Sequence, residues 1–145
     1  MGITESSVAI LRTYLKGDIE RHQRLVDQLD SHAAKADYSL LLSAAFFKAV
    51  ERRFAKNATD ADVVEFVGAV RGRSERLHNS IDPRIAERLI RAVYTDEEID
   101  DIDGKTAIGI ELIMLAALVI DLGPDDSDLD QLLAEARSLA DRSDT

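Results

Sequence analysis

The sequence predicts an all-α protein, a single-domain bundle of six to seven helices around a central apolar helix at about residues 105–122. Apolar residues recur at three- and four-residue spacing along most of the chain, as in amphipathic helices. No stretch alternates apolar and polar residues over a strand length, and no Asn-Gly hairpin signal is present. A length of 145 residues suits one domain, 1–145, with a sizeable core.

The central helix is predicted from its composition. Between Thr106 and Ile120 only Glu111 is charged. A helix that is apolar on all sides is buried in a globular protein, and Gly123 followed by Pro124 is a typical helix end. The run is shorter than the roughly 20 apolar residues of a membrane span, so we expect a core helix and no membrane.

The first helix is predicted over residues 5–34, with Thr4 or Ser6 as its N-cap. Its apolar stripe continues through Gly17, which favours one long helix. A break near Gly17, with Asp18 capping a second helix, is the alternative. The stripe consists of Val8, Leu11, Leu15, Ile19, His22, Val26 and Leu29.

The next helix is predicted to start at Asp37 or Ser39 and to run to about residue 55. Its apolar arc is wider than one buried face requires, so we expect it to pack on two sides or to present one side to a partner. The candidate interface residues on this arc are Leu41, Phe46 and Phe47.

The rest of the chain is predicted to form capped helices joined by polar connections. Thr59 with Asp62 resembles a capping box for a helix at 60–73, and Asp82 with Pro83 is a typical start for a helix at 83–94. Residues 74–81 are predicted as a polar connection and 96–104 as an acidic one. A last helix is predicted to start at Ser127 or Asp128.

Charge is distributed unevenly along the chain. Residues 1–94 carry 15 Lys and Arg against 13 Asp and Glu, whereas residues 95–145 carry 3 against 15. One helix face bears the candidate anion or partner contacts Arg84, Arg88 and Arg91. Nucleic-acid binding through them is disfavoured because the chain is acidic, with a pI of about 4.7. The arginines could instead contact the acidic last third of the chain, residues 95–145, within one chain or between two chains.

Motifs for enzymatic or metal chemistry are poorly matched. As a calcium loop or a phosphate loop, the segment around Gly104 fails because Ile99 stands at the first required position. Its resemblance to a phosphatase nucleophile loop fails because no strand precedes it. Glu75 and His78 form one Glu-x-x-His motif, but a di-metal bundle needs two. We therefore predict no catalytic residue, no cofactor and no metal site.

The leading hypothesis is a small cytoplasmic helical interaction or regulatory module that forms a homodimer or binds another protein. The absence of cysteine and of a basic, apolar leader agrees with a cytoplasmic protein. One alternative is a small-ligand binder or enzyme whose pocket lies between helices around Glu111, since a carboxylate in an apolar helix needs a partner. The other is a nucleic-acid-binding regulator that uses the three arginines.

Overall fold

The computed structural model of the chain describes residues 3–54, 58–123 and 125–143, and these residues are helical with no strand. This confirms the predicted all-α, bundle-like class. The described ranges hold eight helices rather than six to seven. They are α1 (Glu5–Leu15), α2 (Ile19–Asp27), α3 (His32–Arg53), α4 (Asp60–Arg71), α5 (Glu75–Ser80), α6 (Pro83–Arg91), α7 (Gly104–Leu122) and α8 (Asp126–Ser143).

The chain divides into two compact units. One consists of residues 1–48 and 123–145, and the other of residues 49–122. The division falls inside α3, after Lys48, and again between α7 and α8. The prediction of one domain over 1–145 stays a prediction, and the two units are described separately below.

In the first unit, the prediction of one helix over residues 5–34 is wrong. α1 ends at Leu15 because Gly17 adopts a left-handed φ of 90°, which L-residues with a side chain rarely adopt. Asp18 then caps α2, and its carboxylate accepts the backbone N–H of Arg21 at 3.2 Å. The break predicted as the alternative is therefore the one observed.

The start of α3 also differs from the prediction. The helix begins at His32, before Asp37 and Ser39, because the Ser31 hydroxyl accepts the N–H of Ala34 at 3.0 Å and supplies an earlier N-cap. α8 begins at Asp126, and Asp125 accepts the N–H of Asp128 at 2.8 Å.

Ion pairs join α1 to α8 within the first unit. Arg12 Nε lies 2.8 Å from Asp130 Oδ1, and the Lys16 ammonium pairs with Asp126. Before α1, the N–H of Ile3 donates to Asp141 at 2.6 Å. Part of the acidic last third is thus neutralised by cations of its own chain, as expected for contacts within one molecule.

In the second unit, two predicted caps are confirmed. Thr59 and Asp62 form a reciprocal capping box at α4, and Asp82 accepts the N–H groups of Arg84 and Ile85 at α6, with Pro83 in the first turn. The prediction of a polar connection over 74–81 is wrong, because Ser74 caps the short helix α5.

The predicted apolar helix is confirmed as α7, and seven of its 19 residues are buried. Met114, Leu115 and Leu118 are fully enclosed. Asp103 caps its start by accepting the N–H of Thr106 at 3.1 Å, and Gly123 follows its end with a left-handed φ of 58°. Pro124, part of the predicted helix end, lies outside the described residues.

Candidate interaction surface

The three candidate interface residues on α3 do not share one environment. Leu41 is 0% exposed and Phe46 is 3% exposed, so both are core residues of the single chain. Phe47 is half-buried. The wide apolar arc predicts either packing on two sides or one side presented to a partner, and the chain itself covers two of these side chains. An interface on this arc stays a prediction, and it rests on Phe47.

The carboxylate of Glu111 is in the buried part of α7, where the residue is 8% exposed. Among the residues that the structure describes, Glu111 lines none of three surface clefts of about 520, 280 and 330 Å³. A pocket around Glu111 therefore stays a prediction without a cleft to support it.

Two of the three candidate arginines face carboxylates of the acidic connection that follows α6. Arg88 makes a two-pronged contact with Asp101, at 2.7 and 3.0 Å, and its Nε lies 3.2 Å from Glu97. Arg91 also approaches Glu97, at 3.6 Å, whereas Arg84 is exposed. The hydrogen bond from Arg88 lowers the pKa of Asp101 below its ordinary value. A nucleic-acid phosphate would have to displace these carboxylates.

A cleft of about 520 Å³ lies in the second unit at the end of α3 and along α4. Phe54 and Phe66 pack edge to face there with ring centroids 5.6 Å apart, and the Arg53 guanidinium carbon lies 5.2 and 5.4 Å from the two centroids. Asp121 neutralises Arg53 at 3.7 Å and Arg73 at 3.2 Å. These mutual contacts account for the cleft's aromatic and basic groups without a ligand.

The feature that stands out is an exposed apolar face on α7. It consists of Gly109, Leu112, Ile113, Ala116 and Ile120, which we call the α7 face. Gly109 and Ile120 are exposed, Ile120 by 69%, and the other three are half-buried. Among the described residues Ile120 is the most exposed large apolar side chain, although it belongs to the most apolar helix.

The spacing of this face is that of a helix-pairing seam. The steps from Gly109 to Ile113, Ala116 and Ile120 are four, three and four residues, the a/d spacing of a coiled coil. Large and small side chains alternate along it. The sequence contained this signal, but it was hidden because nearly every position of α7 is apolar and no polar face marks which side is solvated.

No protein-family model matches this sequence, and no curated protein or solved structure matches it either. Within residues 3–54, 58–123 and 125–143, no group of three His, Asp or Glu side chains is arranged to hold a metal ion. In the same ranges, no helix is both long enough and apolar enough to cross a membrane.

Proposed function

We propose that the chain is a small cytoplasmic interaction module that self-associates through the α7 face. The observation that carries the proposal is the 69% exposure of Ile120 in line with Gly109, Ile113 and Ala116. Exposed apolar residues scattered singly are ordinary, but several in one seam favour a protein partner.

A second copy of the chain suits this face because the seam is self-complementary when two copies run antiparallel. In the antiparallel register that sets a positions against d positions, Ile113 of each copy meets Ala116 of the other, and Gly109 meets Ile120. Each large side chain is then received by a small one, as close packing requires. A two-fold axis generates both contacts from one surface.

The helix dipole of α7 favours the same direction. Antiparallel packing sets the positive end of each helix dipole beside the negative end of its neighbour. The Asp121 carboxylate at the helix end already pairs with Arg53 and Arg73 of its own chain, so the support comes from the dipole and not from a new ion pair.

The length of the seam limits the affinity. From Thr106 to Ile120 the helix rises about 20 Å at 1.5 Å per residue. A single pair of helices of that length buries less than the roughly 1,200–2,000 Å² of a standard stable interface. We therefore expect a concentration-dependent dimer that resists salt because its centre is apolar.

The test is solution mass by light scattering over about a hundredfold range of protein concentration, at low and at high salt. The wild type should shift from monomer to dimer at both salt levels, and Ile120→Asp should stay monomeric. Val64→Asp is the matched control, since Val64 is 49% exposed on α4 and lies outside the seam. A wild type that is monomeric at every concentration refutes the proposal. A dimer that dissociates at high salt also refutes the α7 face as the contact, because it would show that charged surfaces hold the two copies together.

A second variant separates association from folding. A Cβ added at Gly109 meets no atom of its own chain within 4 Å. Gly109→Ala should therefore stabilise the monomer by about 0.5–1 kcal/mol through helix propensity. The same methyl group should weaken the dimer, because it occupies the place where Ile120 of the second copy packs. A variant that is more stable and equally dimeric would show that the α7 face is not the contact.

A further inference from the structure

The helix α2 has a single buried side chain, and that side chain is a histidine. Of residues 19–27 only His22 is buried, at 5% exposure, whereas Leu25 and Val26 are half-buried and the others are exposed. Ile19, the apolar residue at the start of this helix, is 54% exposed. In a short helix with so little buried apolar surface, the His22 contact is a large part of what holds the helix in place, beside the half-buried Leu25 and Val26.

His22 is enclosed by two tyrosines from the neighbouring helices. Its ring lies 4.8 Å from the Tyr14 ring of α1 and 5.8 Å from the Tyr38 ring of α3, measured between centroids. Its Nε2 is 2.5 Å from the Tyr38 hydroxyl, which is itself buried. Either neutral tautomer of the imidazole makes this hydrogen bond, with the hydroxyl as donor or as acceptor.

The surroundings of the ring favour its neutral form. The titratable groups that face it from α1 and α3 are Tyr14 and Tyr38, and burial raises the pKa of Tyr38, so this hydroxyl keeps its proton. One turn before His22 the charged residue is Asp18, the N-cap of α2, whose carboxylate already accepts the N–H of Arg21. Burial lowers the pKa of His22 below its ordinary value.

We propose that α2 is an acid-releasable helix, docked against α1 and α3 by the neutral His22 ring and freed when that ring takes up a proton. Protonation leaves both ring nitrogens as donors and places a positive charge on a side chain that is only 5% exposed, where the charge loses most of its hydration. The cation is solvated when α2 detaches, so the proton favours the detached state. This device is independent of the proposed self-association, since it lies in the first unit and the α7 face lies in the second.

The sign and size of the effect follow from linkage. A histidine whose pKa is lowered in the folded state stabilises docking fully above its ordinary pKa, and the stabilisation is lost as the pH falls below that value. At most one proton is taken up on release, so the opening constant of α2 should rise as the pH falls, with an upper limit of about tenfold at one pH unit below the ordinary pKa of about 6.5. No change is expected above neutrality.

The experiment is amide hydrogen exchange of the whole chain at about pH 7.5 and about pH 5.5, corrected for the intrinsic exchange rates. Amides of α2 should lose protection at the lower pH, by up to about tenfold, while those in the middle of α3 keep theirs. The control is His22→Gln, which retains a polar contact with Tyr38 but cannot take up a proton. Its α2 protection should not respond to pH. Equal protection of wild-type α2 at both values, or an acid response that survives in His22→Gln, overturns the proposal.

A second measurement keeps the proposal testable if His22→Gln fails to dock α2 at either pH. In a His32→Gln, His78→Gln background, His22 is the one histidine left, and its ring protons can be titrated by NMR. A measured pKa below about 6.5, with loss of the α2 signals on the same titration curve, supports the device. A pKa at or above that value overturns it.

Discussion

The same chemical change, glycine to alanine, should have opposite effects at two positions of this chain. Gly17 has a φ of 90°, whereas Gly68 lies inside α4 without a positive φ, and an added Cβ meets no atom within 4 Å at either position. Steric contact therefore plays no part, and the backbone conformation alone determines whether the added methyl group raises or lowers the free energy of unfolding. In the left-handed region a Cβ costs about 1–2 kcal/mol, less about 0.4–1 kcal/mol gained from a stiffer unfolded chain.

The expected outcome is a destabilisation of about 0.5–1.5 kcal/mol for Gly17→Ala and a stabilisation of about 0.5–1 kcal/mol for Gly68→Ala. The assay is urea unfolding monitored by circular dichroism. The free energies of unfolding are compared between variants that show the same dependence of this free energy on urea concentration. If Gly17→Ala is neutral or stabilising, the left-handed break between α1 and α2 does not constrain the fold. A simultaneous gain of helical signal would then show that the two helices have fused into the long one that the sequence pattern favours.

Two further predictions concern the second unit. Thr59→Ala removes one half of the α4 capping box and should lower the free energy of unfolding by about 1 kcal/mol, whereas Thr59→Ser should preserve it. Arg88→Met should return the lowered pKa of Asp101 towards its ordinary value, measured by NMR titration of the carboxyl carbon. The Arg88–Asp101 pair stabilises the fold at neutral pH, and this stabilisation is lost as the pH falls through the lowered pKa of Asp101. In Arg88→Met the free energy of unfolding should therefore decrease less on acidification than in the wild type. An unchanged Asp101 titration would contradict the assignment.

Much of the fold could be predicted because local signals agreed with tertiary packing. Asp82 with Pro83, Thr59 with Asp62, and the apolar run of α7 each specify a helix start or a buried helix through short-range chemistry. The errors occurred where two local signals competed. At Gly17 the continuous apolar stripe favoured one helix, yet the left-handed glycine and the cap at Asp18 ended it.

The candidate sites were less predictable, because they depend on which side of a helix the rest of the chain covers. The arginines at 88 and 91 were identified from the sequence, and contact with the acidic third was one expected possibility, but the partners Glu97 and Asp101 became known only from the structure. The apolar arc of α3 gave no means of separating the enclosed Phe46 from the half-buried Phe47. Periodicity assigns a face only when polar residues mark its opposite.

The two surfaces for which we propose roles both reverse the usual relation between a helix and its environment. α2 is a polar helix whose one buried side chain is the titratable His22, and α7 is an apolar helix whose side chain Ile120 is 69% exposed. Each arrangement costs stability relative to the opposite choice, an apolar anchor for α2 and a polar residue at position 120. Natural sequences break such local rules mainly at functional positions. If both reversals were accidents of packing without a role, the hydrogen-exchange protection of α2 would not change between about pH 7.5 and about pH 5.5, and Ile120→Asp would leave the solution mass unchanged.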